Sequence, residues 1–370
     1  MKKTVNIAMI GVGCISGIYL KNITELFHDI RLLGVCDLIR ERAEAAQQKY
    51  NIPKIYDTMY DAFADPEVDI ILNLTRPYEH FEVSKAALNA GKHVYSEKPL
   101  GACLEEGIQL RALAEEKGLM LGGAPDTFMG AGIQTCRKLI EDGYIGTPVG
   151  SAAFMICRGH ERWHPDPDFY YQYGGGPMMD MGPYYLTAMI NLMGSIKRVM
   201  AATRCTFPRR IITSSPLAGT PIDVHVSTHI AGTVEYSSGA VGTLFTTFDV
   251  HYPTQARFEI YGSEGTLIVP DPNTFGGPVK LYRPEEREMR ELPLVFDYRE
   301  NSRGLGLADM ASALIHGRRA RADYTQTFHV LEAIEGFETA GKTGQWVDLT
   351  STYTPAAPMK KAVVPGILDE

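Results

Sequence analysis

The sequence predicts an α/β protein of two domains: an N-terminal doubly wound parallel sheet, then a C-terminal α+β domain on an open, mostly antiparallel sheet. Three observations predict it. Short apolar strands and helices alternate from Val5 to Leu121, a glycine-rich turn (Gly11 to Ser16) follows the first strand directly, and near Gly122-Gly123-Ala124-Pro125 the pattern changes to strands joined by tight turns. At 370 residues the chain exceeds what one simple core holds, so two domains are the expectation.

Val5–Ile10 is a short apolar run, followed by the glycine turn and a helical stretch to Leu26. Arg31–Cys36 is the second strand, ending at Asp37. Glu41–Tyr50, Phe81–Ala90 and Leu104–Lys117 have helical composition, and Val68–Leu74, His93–Ser96 and Leu119–Leu121 read as strands between them. Continuous apolar strands separated by helices make a parallel sheet covered on both faces.

One more helix, Gly130–Asp142, precedes strands at Ser151–Cys157, Val199–Arg204, Val224–Tyr236, Ala240–Val250, Ala256–Tyr261 and Thr266–Val269. Ser237-Ser238-Gly239 and Gly262-Ser263-Glu264-Gly265 are the hairpin turns. Pro183–Leu192 is a helix of this part, and two amphipathic helices, Leu305–His316 and Thr327–Ala340, follow. The expected division is 1–124 for the first domain, 125–353 for the second and 354–370 for a tail with no core element. The helices of about 305–342 are expected to pack back on the first domain.

Composition narrows the function classes. A net charge of −8 with no basic run argues against nucleic acid, and Arg318-Arg319-Ala320-Arg321 reads as a solvated helix end. Cys14, Cys36, Cys103, Cys136, Cys157 and Cys205 are scattered, without zinc-like spacing or a disulfide framework, which points to a reducing cytoplasm. Met1-Lys2-Lys3 runs straight into a strand, unlike a signal peptide, and no apolar run approaches the ~20 residues of a membrane span.

The chemistry-bearing residues cluster at the ends of the predicted parallel strands, where ligands of such sheets bind. In Gly11-Val12-Gly13-Cys14-Ile15-Ser16 the first glycine permits the turn and the second lets backbone approach a pyrophosphate at a helix N-terminus. Asp37, at the end of the second strand, suits the ribose hydroxyls of NAD and repels the extra phosphate of NADP; nearby Arg40 blurs that preference. Cys14, Ile15, Asp37 and Arg40 are thus expected along the cofactor, as are Thr75, Pro77 and His80 of the turn after Asn73. Ser96-Glu97-Lys98-Pro99 ends an apolar strand, which directs the Lys98 ammonium and its neighbour Glu97 to the cofactor site. Further on, Gly174 to Tyr184 supplies Asp180 and Tyr184, four residues apart. Lys98, Asp180 and Tyr184 are the expected proton-handling set for alcohol oxidation.

His160-Glu161-Arg162-Trp163-His164 has the zinc-protease spacing, which needs a helix to bring both histidines to one face. Strand pattern runs up to Arg158-Gly159, Pro165-Asp166-Pro167 follows, and His164 before proline is expected to be extended. No metal site is expected. The segment reads as a loop in which Trp163 stacks on a sugar face and His160, Arg162 or His164 bonds hydroxyls; Asp126 is grouped with them as a substrate contact.

Together these elements resemble the Gfo/Idh/MocA oxidoreductase family. The resemblance spans nearly the whole chain through the glycine loop, Asn73 to His80, Glu97-Lys98-Pro99, Gly143-Tyr144-Ile145-Gly146, Gly174 to Tyr184 and Phe258 to Gly265. It implies a Rossmann domain joined to an open-sheet α/β domain, and assembly into a dimer or tetramer through sheet-to-sheet contact. One departure matters: many members carry histidine where this chain has Tyr184, and tyrosine there looks like the glucose–fructose oxidoreductase branch. A phenol ionises near pH ~10 unless a cation such as the Lys98 ammonium assists.

The resulting expectation is an NAD-dependent oxidoreductase acting on a secondary alcohol of a sugar, cyclitol or glycoside, with ring C3 of a hexosyl unit suggested by the breadth of the family. Alternatives are an enzyme that recycles tightly held NAD(P), a non-catalytic NAD-binding regulator, and a zinc hydrolase using His160 and His164. An uncovered, partly apolar face on the second sheet, as in Ala240 to Phe248, predicts a homo-oligomer.

Overall fold

A computed structural model describes residues 4–252, 257–361 and 364–368. In chain order its elements are β1 (Val5–Ile10), α1 (Ser16–Glu25), β2 (Ile30–Cys36), α2 (Arg40–Tyr50), β3 (Lys54–Ile55), α3 (Met59–Ala64), β4 (Ile70–Asn73), α4 (His80–Asn89), β5 (His93–Ser96), α5 (Leu104–Lys117) and β6 (Leu121–Gly123). There follow α6 (Ala131–Glu141), β7 (Pro148–Ile156), α7 (Gly176–Asp180), α8 (Gly182–Met193), β8 (Ile196–Arg204), β9 (Arg209–Ile211), β10 (Pro221–Asp223), β11 (His229–Tyr236) and β12 (Val241–Thr247). The last are β13 (Phe258–Gly262), β14 (Thr266–Ile268), β15 (Val279–Tyr282), β16 (Met289–Leu292), α9 (Leu305–His316), α10 (Tyr324–Thr343) and β17 (Val347–Asp348). The expected strand start at Ala256 lies outside the described residues.

The chain forms two compact units: Met1–Ala131 with Phe296–Phe328 and Ala356–Glu370, and Gly132–Val295 with His329–Pro355. In the first, six strands pair in parallel in the order β3-β2-β1-β4-β5-β6. The strands are apolar because both faces are covered: Ile7, Met9, Ile70, Ile71, Val94 and Tyr95 are fully buried. The order reverses between β1 and β4, so the turns after β1, β4 and β5 share the end of the sheet where α/β proteins bind ligands.

The second unit carries a nine-stranded sheet, β16-β15-β14-β13-β7-β12-β11-β8-β17, antiparallel except where β12 runs parallel to β7. Ile230, Val234, Tyr236, Leu244, Phe258 and Ile260 on one face are buried. The opposite face carries Phe154, Phe245, Thr243 and Ala231, which are half-buried or exposed.

Three expectations are corrected. The turn at Gly122 to Pro125 is not the boundary, because the first unit continues to Ala131 and regains 296–328. Only α9 of the two late helices lies wholly in the first unit, where Gly306 sits against the ring of Tyr95; α10 leaves that unit after Phe328, and its Phe337 packs on Gly232 of β11. Helical periodicity marks a buried face but not which sheet covers it. Among its described residues the tail from Thr354 forms no helix or strand, yet Met359 and Leu368 are buried and Gly366 O accepts the His28 amide at 3.0 Å. Single anchoring residues in an extended segment leave no periodicity to read.

Candidate active site

In the first unit the turn after β1 is shaped by two glycines with different tasks. Gly11 has φ +95°, and a side chain there would stand 2.7 Å from the Leu74 carbonyl oxygen. Around Gly13 a side chain would meet nothing within 4 Å, so its absence leaves open space above the start of α1. Ser16 closes the turn, donating from Oγ to Gly13 O at 2.7 Å, while Cys14 and Ile15 are exposed beside it. No side chain caps the N-terminus of α1, so its positive end remains available to an anion.

Asp37 braces this turn. Its Oδ2 accepts from the Val12 amide at 2.6 Å and its Oδ1 from the Ile39 amide at 2.8 Å, each oxygen keeping further acceptor capacity. Arg40 does not offset it, because the guanidinium bonds Asp57 and reaches Glu44 at 3.2 Å. A half-buried carboxylate whose neighbouring arginine is already paired suits a ribose diol better than a phosphate. The open space at Gly13, the uncapped α1 terminus and Asp37 together fit NAD.

The turns after β4 and β5 are tied to one another through His80. His80 is 1% exposed, with Nδ1 2.8 Å from Pro99 O and Nε2 3.1 Å from Thr75 O. Burial holds its pKa below the ordinary histidine value. Its one N–H faces the shorter contact, Pro99 O, and ties the start of α4 to the Lys98–Pro99 turn. Thr75 is pinned at its amide (3.2 Å) and hydroxyl (2.7 Å) by Asn73 Oδ1, and Pro77 opens the 3-10 turn that leads into α4.

Glu97 is buried as well. Its Oε1 accepts from Tyr19 Oη at 2.8 Å and its Oε2 from the Lys98 amide at 3.0 Å. It fixes the backbone under Lys98, whose side chain is half-buried. Asp126, expected to meet substrate, is 1% exposed, and its Oδ2 accepts from the Gly304 and Gly306 amides at 2.9 and 3.0 Å, capping α9. Burial pushes its pKa up to about 6 against the pull of those amides.

In the second unit Asp180 is the last residue of α7, and Tyr184, 6% exposed, sits in the first turn of α8. The structure joins Asp180 to His160: Nε2 lies 2.8 Å from Asp180 Oδ2. Trp163 Nε1 donates to His160 Nδ1 at 3.2 Å, and Tyr170 and Phe248 meet the imidazole edge-on at 4.3 and 4.7 Å. Trp163 is 61% exposed and Arg162 is exposed.

Residues 161–163 form a single turn, closed by the His164 amide donating to His160 O at 3.0 Å. His164 itself lies outside the turn, immediately before Pro165. His164 Nδ1 accepts from the Asp166 amide at 3.1 Å, and burial holds its pKa below the ordinary value. Glu161, which a zinc hydrolase would need as a base, is 6% exposed and committed to Arg210 at 2.8 Å and to Tyr171 Oη. Among the described residues no group of three or more His, Cys, Asp or Glu is arranged to hold a metal.

Sequence reasoning missed Arg210. It is 4% exposed, bonds Glu161 and Asp249, and comes from the β9–β10 ribbon that also holds the Glu161 carbonyl through the Thr213 and Ser214 amides. Three-residue strands carry no periodicity, and the Arg209-Arg210 pair is no signal for a buried cation.

Comparison with known proteins decides the family. Residues 5–123 match the oxidoreductase family with NAD-binding Rossmann fold, and residues 133–268 match the GFO/IDH/MocA C-terminal domain. The chain belongs to the Gfo/Idh/MocA oxidoreductase family.

Among members of that family it is 28% identical over 177 residues to D-xylose dehydrogenase of Paenarthrobacter nicotinovorans, covering 46% of this chain and 45% of that one. It is 24% identical over 264 residues to myo-inositol 2-dehydrogenase of Thermotoga maritima, covering 71% and 74%. The chain therefore spans under half the length of the xylose enzyme. In fold it is similar to levoglucosan dehydrogenase in its apo form (TM-score 0.83, 18% identity, 95% and 100% covered), and to that enzyme in complex with NADH and levoglucosan (TM-score 0.80, 19% identity, 94% and 99% covered).

Proposed function

We propose that this Gfo/Idh/MocA protein is an NAD-dependent oxidoreductase acting on a secondary alcohol of a sugar, cyclitol or glycoside. The observation that carries this is Lys98: a half-buried lysine on the NAD-binding end of the sheet, its backbone held by Glu97 and its turn by His80. An ammonium held in that way orients a hydroxyl and favours its alkoxide. When bound, the nicotinamide supplies the hydride acceptor or donor. In this reading Lys98 binds the reacting hydroxyl, Tyr184 accepts or relays its proton, and Asp180 tunes both.

Relatives named for D-xylose and myo-inositol, and a structural neighbour solved with NADH and levoglucosan, support a polyhydroxylated ring as the substrate. Ring C3 of a hexosyl unit is the position we put first. The open face around Phe154 and Phe245 supports a homodimer, or a tetramer of dimers, as the working assembly. Six unpaired cysteines support a cytoplasmic setting. The test is absorbance of reduced nicotinamide while NAD and a panel of D-xylose, myo-inositol, levoglucosan and hexosides are supplied. Absence of any change with every member of the panel, in both directions, overturns the reading.

A further inference from the structure

We propose that Trp163 fixes the tautomer of His160 and, through it, the orientation of Asp180, which makes Trp163 and His160 positioning residues. This rests on the role given to Asp180 above. An indole N–H only donates. Because Trp163 Nε1 lies 3.2 Å from His160 Nδ1, that nitrogen presents its lone pair, and the single proton of the neutral imidazole sits on Nε2. Nε2–H then donates to Asp180 Oδ2 at 2.8 Å, an arrangement that turns the carboxylate to one side.

The imidazole end of this relay is rigid. The His160 amide donates to Tyr171 Oη at 3.1 Å, Tyr170 and Phe248 clamp the ring, and the next residue, Glu161, is locked by Arg210. The side chains of His160 and Asp180 are only 12% and 13% exposed. The indole end is open to solvent: Trp163 is 61% exposed, with His164 edge-on at 5.3 Å. An apolar face open to a stacking ring is thus joined by two hydrogen bonds to the carboxylate of the site. A polyhydroxylated ring that stacks on Trp163 meets an Asp180 already set by it.

The experiment is long-range ¹⁵N–¹H NMR of the full-length chain labelled in histidine, with His160 assigned by its loss in H160Q. The expected wild-type signal is the neutral Nε2–H form, and W163F is expected to bring in the Nδ1–H form. A wild-type signal dominated by Nδ1–H, or one unchanged in W163F, overturns the relay. Turnover of NAD with D-xylose, myo-inositol and levoglucosan is measured in parallel. H160Q, whose amide still donates toward Asp180, is expected to keep most of the wild-type kcat, whereas H160A and W163F lose roughly 10- to 100-fold with KM for NAD unchanged. Full turnover in all three variants, with K98A inactive, overturns the relay and leaves the proposed function standing. No turnover in the wild type with any probe overturns the proposed function, and the NMR result still decides the relay.

Discussion

Tyr19 of α1 donates its phenolic hydrogen to Glu97 at 2.8 Å, so the helix that follows the nucleotide turn holds the residue beneath Lys98. Both side chains are buried, and burial together with the Glu97 carboxylate raises the Tyr19 pKa well above that of a free phenol. Tyr19→Phe leaves one carboxylate oxygen without that donor, a loss of about 1–3 kcal/mol. Urea denaturation should show it, and an unchanged midpoint would mean that the carboxylate finds another donor.

Lys98→Ala should lower turnover by roughly 10²-fold or more, the scale of a lost acid–base group, while NAD affinity changes little. Tyr184→Phe removes only the phenolic oxygen and should keep fold and cofactor while slowing the proton-coupled step. Normal rates across the pH profile in Tyr184→Phe would show that the ring only packs.

Asp37→Ser is expected to weaken NAD binding and to relax discrimination against NADP, since the carboxylate that repels the phosphate is gone. The same change removes the acceptor of the Val12 amide, so part of the loss comes from a looser turn. Tighter binding of NADP than of NAD by the wild type, measured by titration, would refute the assignment.

Asp126 predicts a pH dependence of stability. Its folded pKa of about 6 stands above the ~3.9 of an exposed aspartate. Between those values the folded chain keeps a proton that the unfolded chain has released, so stability from this group falls as pH rises from about 4 through 6 and then levels. Two units correspond to about 3 kcal/mol. Asp126→Asn keeps an acceptor for the Gly304 and Gly306 amides but cannot ionise. Its stability relative to wild type should therefore rise between pH 4 and pH 8, and urea melts showing a flat difference would mean that the amides fully satisfy the charge.

The face around Phe245 yields a prediction about assembly. Phe245 is half-buried, 6.2 Å from Phe154 and 4.9 Å from His229 between ring centroids. Phe245→Glu places a charge at the centre of the proposed contact and should shift a wild-type dimer or tetramer toward monomer in light scattering at micromolar concentration. A monomeric wild type would remove the proposal.

The parallel sheet was legible because its signals are local and redundant. Strand β1, the glycine turn, the helix and Asp37 lie within one stretch, and each strand buried on both faces reads as a continuous apolar run. Lys98 was legible for the same reason, as a charge stranded at the end of such a run. Helix α9 was legible from its amphipathic pattern near Leu305 to His316. The ribbon β9–β10 and strands β15 and β16 were not legible, because these short strands carry Arg210, Asp223, Lys280 and Arg290 where β4 and β5 have continuous apolar runs.

The candidate site divides along the same line. Sequence by itself determined which residue types stand at the ends of the parallel strands, because strand direction and alternation depend on neighbours a few positions away. Tertiary structure alone decided their work. Glu97, His80 and Asp126 carry the polar chemistry of a binding site, yet Tyr19, the Pro99 carbonyl and the α9 amides, 78, 19 and about 180 positions away, turn them into buried braces. His160 and Asp180 are joined across 20 positions, and Arg210 reaches Glu161 across 49. A polar side chain in the sequence has an open valence for hydrogen bonds, and which partner fills it depends on distances that only the folded chain sets.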